Sequence, residues 1–242
     1  PYVNKSHRLF SYISADQSKK VFLSKMRIKA RGGSSADFPK HNFTIELPQK
    51  MAIAGLPKDD DWILGASYID RSFMRHKLSF DLFMQFSEDN IAPKTAYIEV
   101  YRNFRYHGLY VLMERMDAKR LGLKKTDTKA RIFKEPSVFI HPSISTSGSN
   151  PKKPGDLHHQ KFPKFEQKDY TTEIETLRHF IAESADSIFF NPKEGIFSIL
   201  DINSILDWHI LLQLTHNNDG IIKNFILYKQ NAQSKYKIAP WD

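Results

Sequence analysis

From Val21 to Arg31 apolar and polar residues alternate, with Met26, Ile28 and Ala30 set against Arg27, Lys29 and Arg31. That is the period of a half-buried strand, and Gly32-Gly33 ends it. Asn42–Leu47 alternates again and is expected to stop at Pro48, so 21–47 reads as a hairpin with a long Gly/Ser/Pro-bearing connection. Asp70 is placed to cap a helix whose Phe73, Met74, Lys77, Leu78, Asp81, Leu82 and Met84 form one stripe. Ala96–Tyr101 and Leu109–Leu112, joined by a turn over Arg102–Gly108, predict a second hairpin, and Arg131–Lys134 a short strand. Thr172–Ala185 carries Ile174, Leu177, Phe180 and Ile181 at helical spacing. Asp201 then caps a helix with Ile205, Leu206, Trp208, Ile210, Leu211 and Leu214, apolar around most of its circumference and therefore expected to be buried. Asn224–Lys229 and Lys235–Ala239, joined by Gln230–Ser234, predict a third hairpin.

Strands dominate the first half and helices the second, an α+β pattern that suggests two lobes with a cleft. The expected division is a strand-rich lobe over 1–135, a mobile basic loop over 136–170 and a helical part over 171–242 that closes with a hairpin. Within that loop, Pro142–Pro163 is polar, basic and without period, about twenty residues of the kind that are functional or mobile in a compact domain.

The 242 residues fit one large domain better than two independent ones, and 40% hydrophobic content supplies a core, which excludes a disordered chain. The apolar run at Ile205–Leu214 is interrupted by Asp207, His209 and Gln213, so no membrane span is predicted. With no Cys, disulfides, thiolate zinc sites and a Cys nucleophile are excluded. The net charge of +9 reflects either scattered solvated lysines or an anionic partner. The opening Pro1-Tyr2-Val3, without Met or a signal sequence, suggests a processed or trimmed piece.

The chemistry concentrates in Thr215–Asn224, THNNDGIIKN, where a helix gives way to polar residues and then a strand. Asp219 and Asn224 stand five apart, the spacing by which a protein-kinase catalytic loop places a hydroxyl-orienting Asp and a metal-binding Asn. If the third hairpin turns near Ala232, Asn224 lies opposite Pro240 and Asp242 returns to the same end, so that three oxygen donors converge as a hard cation requires. The plainer alternative makes Asp219 a turn residue, Asn224 a strand cap and Asp242 an ordinary terminus.

An ordered set of short motifs weighs between these. They are Arg31-Gly32-Gly33-Ser34-Ser35 with Phe38-Pro39-Lys40, Asp61-Trp62-Ile63-Leu64, Asp70…Met74-Arg75-His76-Lys77-Leu78, Gly108-Leu109-Tyr110-Val111-Leu112-Met113-Glu114, Asn218-Asp219-Gly220…Asn224 and Pro240-Trp241-Asp242. From about Lys25 to Asp242 the chain resembles the spore-coat-H (CotH) kinase-like family. The resemblance implies an atypical, two-lobed protein-kinase-like fold and an ATP-dependent enzyme that requires Mg²⁺ or Mn²⁺ and phosphorylates Ser or Thr of a protein. It implies a spore-coat, secreted or otherwise extracytoplasmic setting. On it, Asp219 matches the catalytic Asp, Asp242 the metal-binding Asp of the Pro-Trp-Asp motif, and Asn224 the metal-binding Asn. Family members continue with a second Asp two residues later and a further helical region, so a chain ending at Asp242 is expected to be truncated at its C-terminus.

A kinase also needs a cation on the nucleotide phosphates, often positioned by a carboxylate. Lys134, ending a strand, and Glu114, ending the second hairpin, are one candidate pair; Lys40, after the Gly/Ser turn and with Arg31 nearby, is the rival. Their plainer readings are solvated strand ends and a simple turn. His158-His159 lacks a spaced third ligand and is expected to be no metal site. The basic stretch with Lys152, Lys153, Lys161, Lys164 and Lys168 reads as a solvated loop or a grip on an acidic or phosphorylated protein. A kinase-like assembly module binding an acidic partner remains the chief alternative. A phosphohydrolase or nuclease, and a nucleic-acid binder using Lys161-Phe162-Pro163-Lys164-Phe165, are further rivals, with nucleic acid disfavoured.

Overall fold

The alternation from Val21 becomes strand β2 (Lys20–Arg31) in the computed structural model, which describes residues 7–15, 20–124, 126–144 and 160–241. The fold is α+β, strand-rich in its first half and helical in its second. Contacts divide the chain into two compact units, Pro1–Asp81 with Pro93–Arg115, and Leu82–Ala92 with Met116–Asp242.

The first unit is a closed antiparallel barrel, ordered β1-β2-β3-β4-β6-β5. Its other strands are β1 (His7–Ala15), β3 (Asn42–Met51), β4 (Asp59–Gly65), β5 (Thr95–Arg102) and β6 (Arg105–Glu114). Closure leaves no edge to protect, and alternate residues of each strand point inward. Ile45, Trp62, Leu64, Ile98, Tyr110 and Leu112 fill the interior, each at most 1% exposed. Burial of each aliphatic side chain among them contributes about 1.5–3 kcal/mol. Pro48 does not end β3 as its lack of a donor N–H suggested. The ladder with β4 instead breaks register between Glu46 and Met51, and the proline sits in that irregular stretch, where no ladder bond is required. The connection between β5 and β6 is a two-residue corner at Asn103-Phe104, tighter than the expected Arg102–Gly108 turn, with Arg102 opposite Arg105.

Helix α1 (Arg75–Phe86) starts where Asp70 receives the N–H of Arg75 at 2.9 Å and that of Ser72 at 3.1 Å. The expected stripe is not the buried one. Met74 and Leu78 are exposed, whereas Phe80 and Phe83, three residues apart, are 1% and 0% exposed.

The second unit is built on a four-stranded sheet, ordered β10-β9-β7-β8, from β10 (Lys237–Pro240), β9 (Phe225–Lys229), β7 (Arg131–Lys134) and β8 (Gln160–Phe162). Strand β8 falls inside the stretch expected to be aperiodic loop, because Phe162 can pair with Ile132 of β7. His158-His159 and Lys152-Lys153 lie outside the described residues. Helices α2 (Thr171–Glu183), α3 (Asp186–Phe189), α4 (Ile196–Ile199) and α5 (Ile202–Thr215) complete the unit.

Asp201 caps α5 by accepting the N–H of Ser204. Ser204 Oγ in turn receives the Ile238 N–H at 2.9 Å and donates to the Ile238 carbonyl at 3.2 Å, which ties the helix to β10. Trp208 packs on Phe139 and Phe225, with ring centroids 5.5 and 5.3 Å apart. The expectation that α5 is buried all round is overturned. One face is packed, through Ser204, Trp208, Leu211 and Leu212, while Ile202, Leu206, Ile210 and Leu214 form an exposed apolar row at every fourth residue. Among the described residues, no helix is long and apolar enough to cross a membrane.

Candidate active site

Helix α5 stops because His216 takes a left-handed conformation, φ 52°, with its N–H on the Gln213 and Leu212 carbonyls. The chain then folds back tightly. A Cβ on Gly220 would come 2.1 Å from Leu212 Cδ2, so any larger residue there requires the Leu212 side chain to shift. Asp219 opens a single helical turn, its carbonyl accepting the N–H groups of Ile222 and Lys223 at 3.1 and 2.9 Å. That turn brings Lys223 Nζ to 2.9 Å from Asp219 Oδ2, with the Asp219 side chain 64% exposed. Asp219 therefore sits on a solvent-accessible loop with a cation already beside it. Lys223 was not singled out by its sequence; the i,i+4 acid–base spacing is the signal that points to it.

Asn224 is the junction. It too is left-handed, φ 67°, a conformation asparagine tolerates better than most residues. Its N–H points at Glu135 Oε1, 3.4 Å away, and its carbonyl receives the Trp241 N–H at 3.0 Å. The pairing of Phe225 with Pro240 puts Asn224 one step beyond the ladder, beside Trp241, within one residue of the sequence expectation. Asp242 lies outside the described residues.

Strand β7 ends at the same edge, with Lys134 paired to Ile226. Lys134 Nζ is 3.3 Å from Glu135 Oε1 and 5.5 Å from the centre of the Trp241 ring. Glu135 is left-handed as well, φ 54°, and donates its N–H to the Phe225 carbonyl at 2.9 Å. Three stretches far apart in sequence thus deliver Lys134, Glu135, Asn224 and Trp241 to one end of one sheet. Non-glycine residues in the left-handed region cost of order 1–3 kcal/mol each and gather at functional sites. Glu135 is the residue that pattern reading passed over. Its signal was a carboxylate immediately after a strand-ending lysine.

The remaining candidates belong to the first unit. Glu114, 8% exposed, accepts the Lys94 N–H at 3.0 Å. Arg31 pairs with Asn42 where β2 meets β3. Lys40 donates to the carbonyls of Ala66, at 3.0 Å, and Leu109, and its ammonium lies 4.5 and 4.4 Å from the ring centres of Phe73 and Tyr110. Burial lowers its pKa from the ordinary lysine value. Two carbonyls and two ring faces give Lys40 a bracing function between β3, β4 and β6, with one N–H left over.

Among the described residues, no three His, Cys, Asp or Glu side chains form a metal cluster. The donors present are nonetheless all oxygen, namely the Glu135 and Asp219 carboxylates and the Asn224 amide, which suit a hard divalent cation and not a soft one.

The family model for CotH kinase protein matches residues 28–242. The chain belongs to the CotH family. Inner spore coat protein H of Bacillus subtilis (strain 168) is 25% identical to this CotH chain over 215 residues, covering 89% of the chain and 57% of that protein. This CotH chain therefore spans a little over half the length of that relative.

Proposed function

We propose that this CotH chain is a metal-dependent kinase that transfers the γ-phosphate of ATP to Ser or Thr hydroxyls of a protein, in a spore-coat or other extracytoplasmic setting. The observation that carries the reading is the gathering of Lys134, Glu135 and Asn224 at one sheet end, with the Asp219 loop just before Asn224 and the Trp241 N–H on the Asn224 carbonyl. Membership of a family named for kinases and similarity to a spore-coat protein support it.

In this reading Asp219, accessible on its loop, accepts the hydrogen bond of the acceptor hydroxyl and aligns it for attack. Asn224 and Asp242 hold the cation, and Glu135 orients both Lys134 and the Asn224 backbone. A bound Mg²⁺ or Mn²⁺ supplies neutralisation of the phosphate charge. Lys134 steadies the nucleotide phosphates, with Lys40 and Arg31 as the alternative set. Lys223 pairs with the Asp219 carboxylate until substrate arrives. The test is transfer of labelled γ-phosphate to protein in the presence of Mn²⁺. Asp219→Ala should abolish transfer with the fold intact; full activity in that variant overturns the assignment.

A second reading, an assembly module that binds an acidic partner without phosphoryl transfer, draws on the Asp219–Lys223 pair, which leaves the carboxylate engaged. Calorimetry with ATP and Mn²⁺ separates the two, because a scaffold alone shows no metal-dependent nucleotide binding.

A further inference from the structure

The β5–β6 hairpin of the barrel makes three locally unfavourable choices at one spot. Its corner is Asn103-Phe104, with both residues left-handed at φ 50° and 63°. Such two-residue corners favour Asn followed by Gly, whereas a bulky side chain at positive φ is strained. Phe104 nevertheless occupies the second place and leaves 77% of its surface in solvent. Arg102 and Arg105 face each other across the last rung, where like charges repel. On the next rung Tyr101 and Tyr106 pair, with ring centroids 5.2 Å apart, and Tyr106 is 58% exposed. Local conflicts of this kind mark functional positions more often than random ones.

Charge is distributed to match. The barrel unit holds 18 Lys and Arg against 10 Asp and Glu, a net of +8, while the second unit holds 18 against 17, a net of +1. Nearly all of the excess therefore sits on the barrel. Strand direction puts the hairpin corner on the same rim as Arg31, Lys40 and His41. Asp59, Asp60, Asp61 and Glu114 lie at the opposite strand ends. Of the acids on the hairpin's rim among the described residues, Asp37 lies between β2 and β3, and Asp70 is already held by Ser72 and Arg75. His107, the extra residue of the bulge opposite Val100 and Tyr101, has its pKa lowered by burial first and then by the charges of Arg102, Lys40 and His41.

We infer that the tip of this hairpin docks an acidic segment of a partner protein. Phe104 at the corner acts as the anchor, and Arg102 and Arg105, on the rung beside it, bind carboxylates. Two guanidinium forks on one rung match carboxylates on a single extended strand. Exposed aromatic residues beside arginine are the composition of protein-interface anchors, whereas a bilayer surface is neutralised by longer runs of point charges. If the partner is the acceptor protein, that identification rests on the kinase reading; the docking itself does not.

The experiment measures binding of a fluorescent Glu/Asp-rich peptide with one aromatic residue to the full chain, without nucleotide, at about 0.1 M salt. Phe104→Gly installs Asn-Gly, the favoured corner, so it should raise the melting temperature while weakening peptide binding about tenfold or more. The pair Arg102→Ser and Arg105→Ser should weaken binding similarly, and affinity for ATP with Mn²⁺ should be unchanged in all variants. A fall in melting temperature for Phe104→Gly, unaltered peptide affinity in the variants, or no peptide binding at all overturns the inference. So does tighter binding of a single-stranded oligonucleotide or of phosphatidylserine vesicles at the same salt. Loss of metal-dependent phosphoryl transfer with peptide binding intact would instead count against the kinase reading alone.

Discussion

Glu135 Oε1 lies 3.3 Å from Lys134 Nζ and 3.4 Å from the backbone nitrogen of Asn224, so one carboxylate oxygen ties the end of β7 to the start of β9. Removing its charge should leave the sheet paired and disturb the site. Glu135→Gln is predicted to lower metal-dependent nucleotide affinity by about 10–100-fold, the range seen when a supporting carboxylate is lost, with little change in denaturant midpoint. Calorimetry alongside urea unfolding checks both halves.

Asn224 serves by its side chain and by its backbone, and two substitutions separate them. Asn224→Gly keeps the left-handed backbone and should keep stability within about 0.5 kcal/mol, yet lose metal-dependent activity. Asn224→Val removes the amide and adds backbone strain, so it should lose activity and about 1–3 kcal/mol of stability. Equal stability in the two variants would show that the φ of 67° is not what selects asparagine.

Asp70 predicts an acid-sensitive step. Burial raises its pKa, but hydrogen bonds from the Ser72 hydroxyl and from the N–H groups of Arg75 and Ser72, with the Arg75 charge, outweigh that and leave the value below the ordinary range of an aspartate. A lowered folded pKa contributes stability that is fully present above the unfolded value and is lost as pH falls through the folded one. Wild-type stability should therefore decline below about pH 4 more steeply than that of Asp70→Asn. At neutral pH Asp70→Ala should cost about 1–2 kcal/mol as the start of α1 loses its acceptors. Thermal unfolding across pH 2.5–7, an interval bracketing carboxylate titration, reads both effects.

The burial pattern of α5 gives a contrast within one helix. Trp208, packed on Phe139 and Phe225, should cost about 3–5 kcal/mol on change to Ala. Leu206, 51% exposed, should change stability by less than about 0.5 kcal/mol on change to Lys. Comparable losses at both positions, measured by urea unfolding, would mean that the outer row is covered in solution.

The same helix shows where sequence reading reaches its limit. Its cap at Asp201 and its length were legible, since a capping acid and a 3.6-residue period are local signals. Its exposed row was not, because apolar residues on every side do not say which side meets a sheet. The α1 stripe failed for a related reason. Phe80 and Phe83 were there to be read, but the run from Phe73 to Met84 offered two overlapping stripes, and tertiary packing chose between them. The barrel was foreshadowed by its alternations, although closure depends on pairings such as β1 with β5 that no local pattern reveals. At the site, the return of β10 beside Asn224 followed from hairpin arithmetic, which is local. The meeting with Lys134 and Glu135 required β7 to pair with β9 across about ninety residues of chain, a separation beyond any turn signal.

The most direct test of the account is anomalous scattering from crystals soaked with a non-hydrolysable ATP analogue and Mn²⁺. The account predicts a manganese peak bound by the Asn224 side chain, with the triphosphate alongside Lys134. A well-occupied manganese and nucleotide bound elsewhere, with Asn224 and Lys134 untouched, would contradict it.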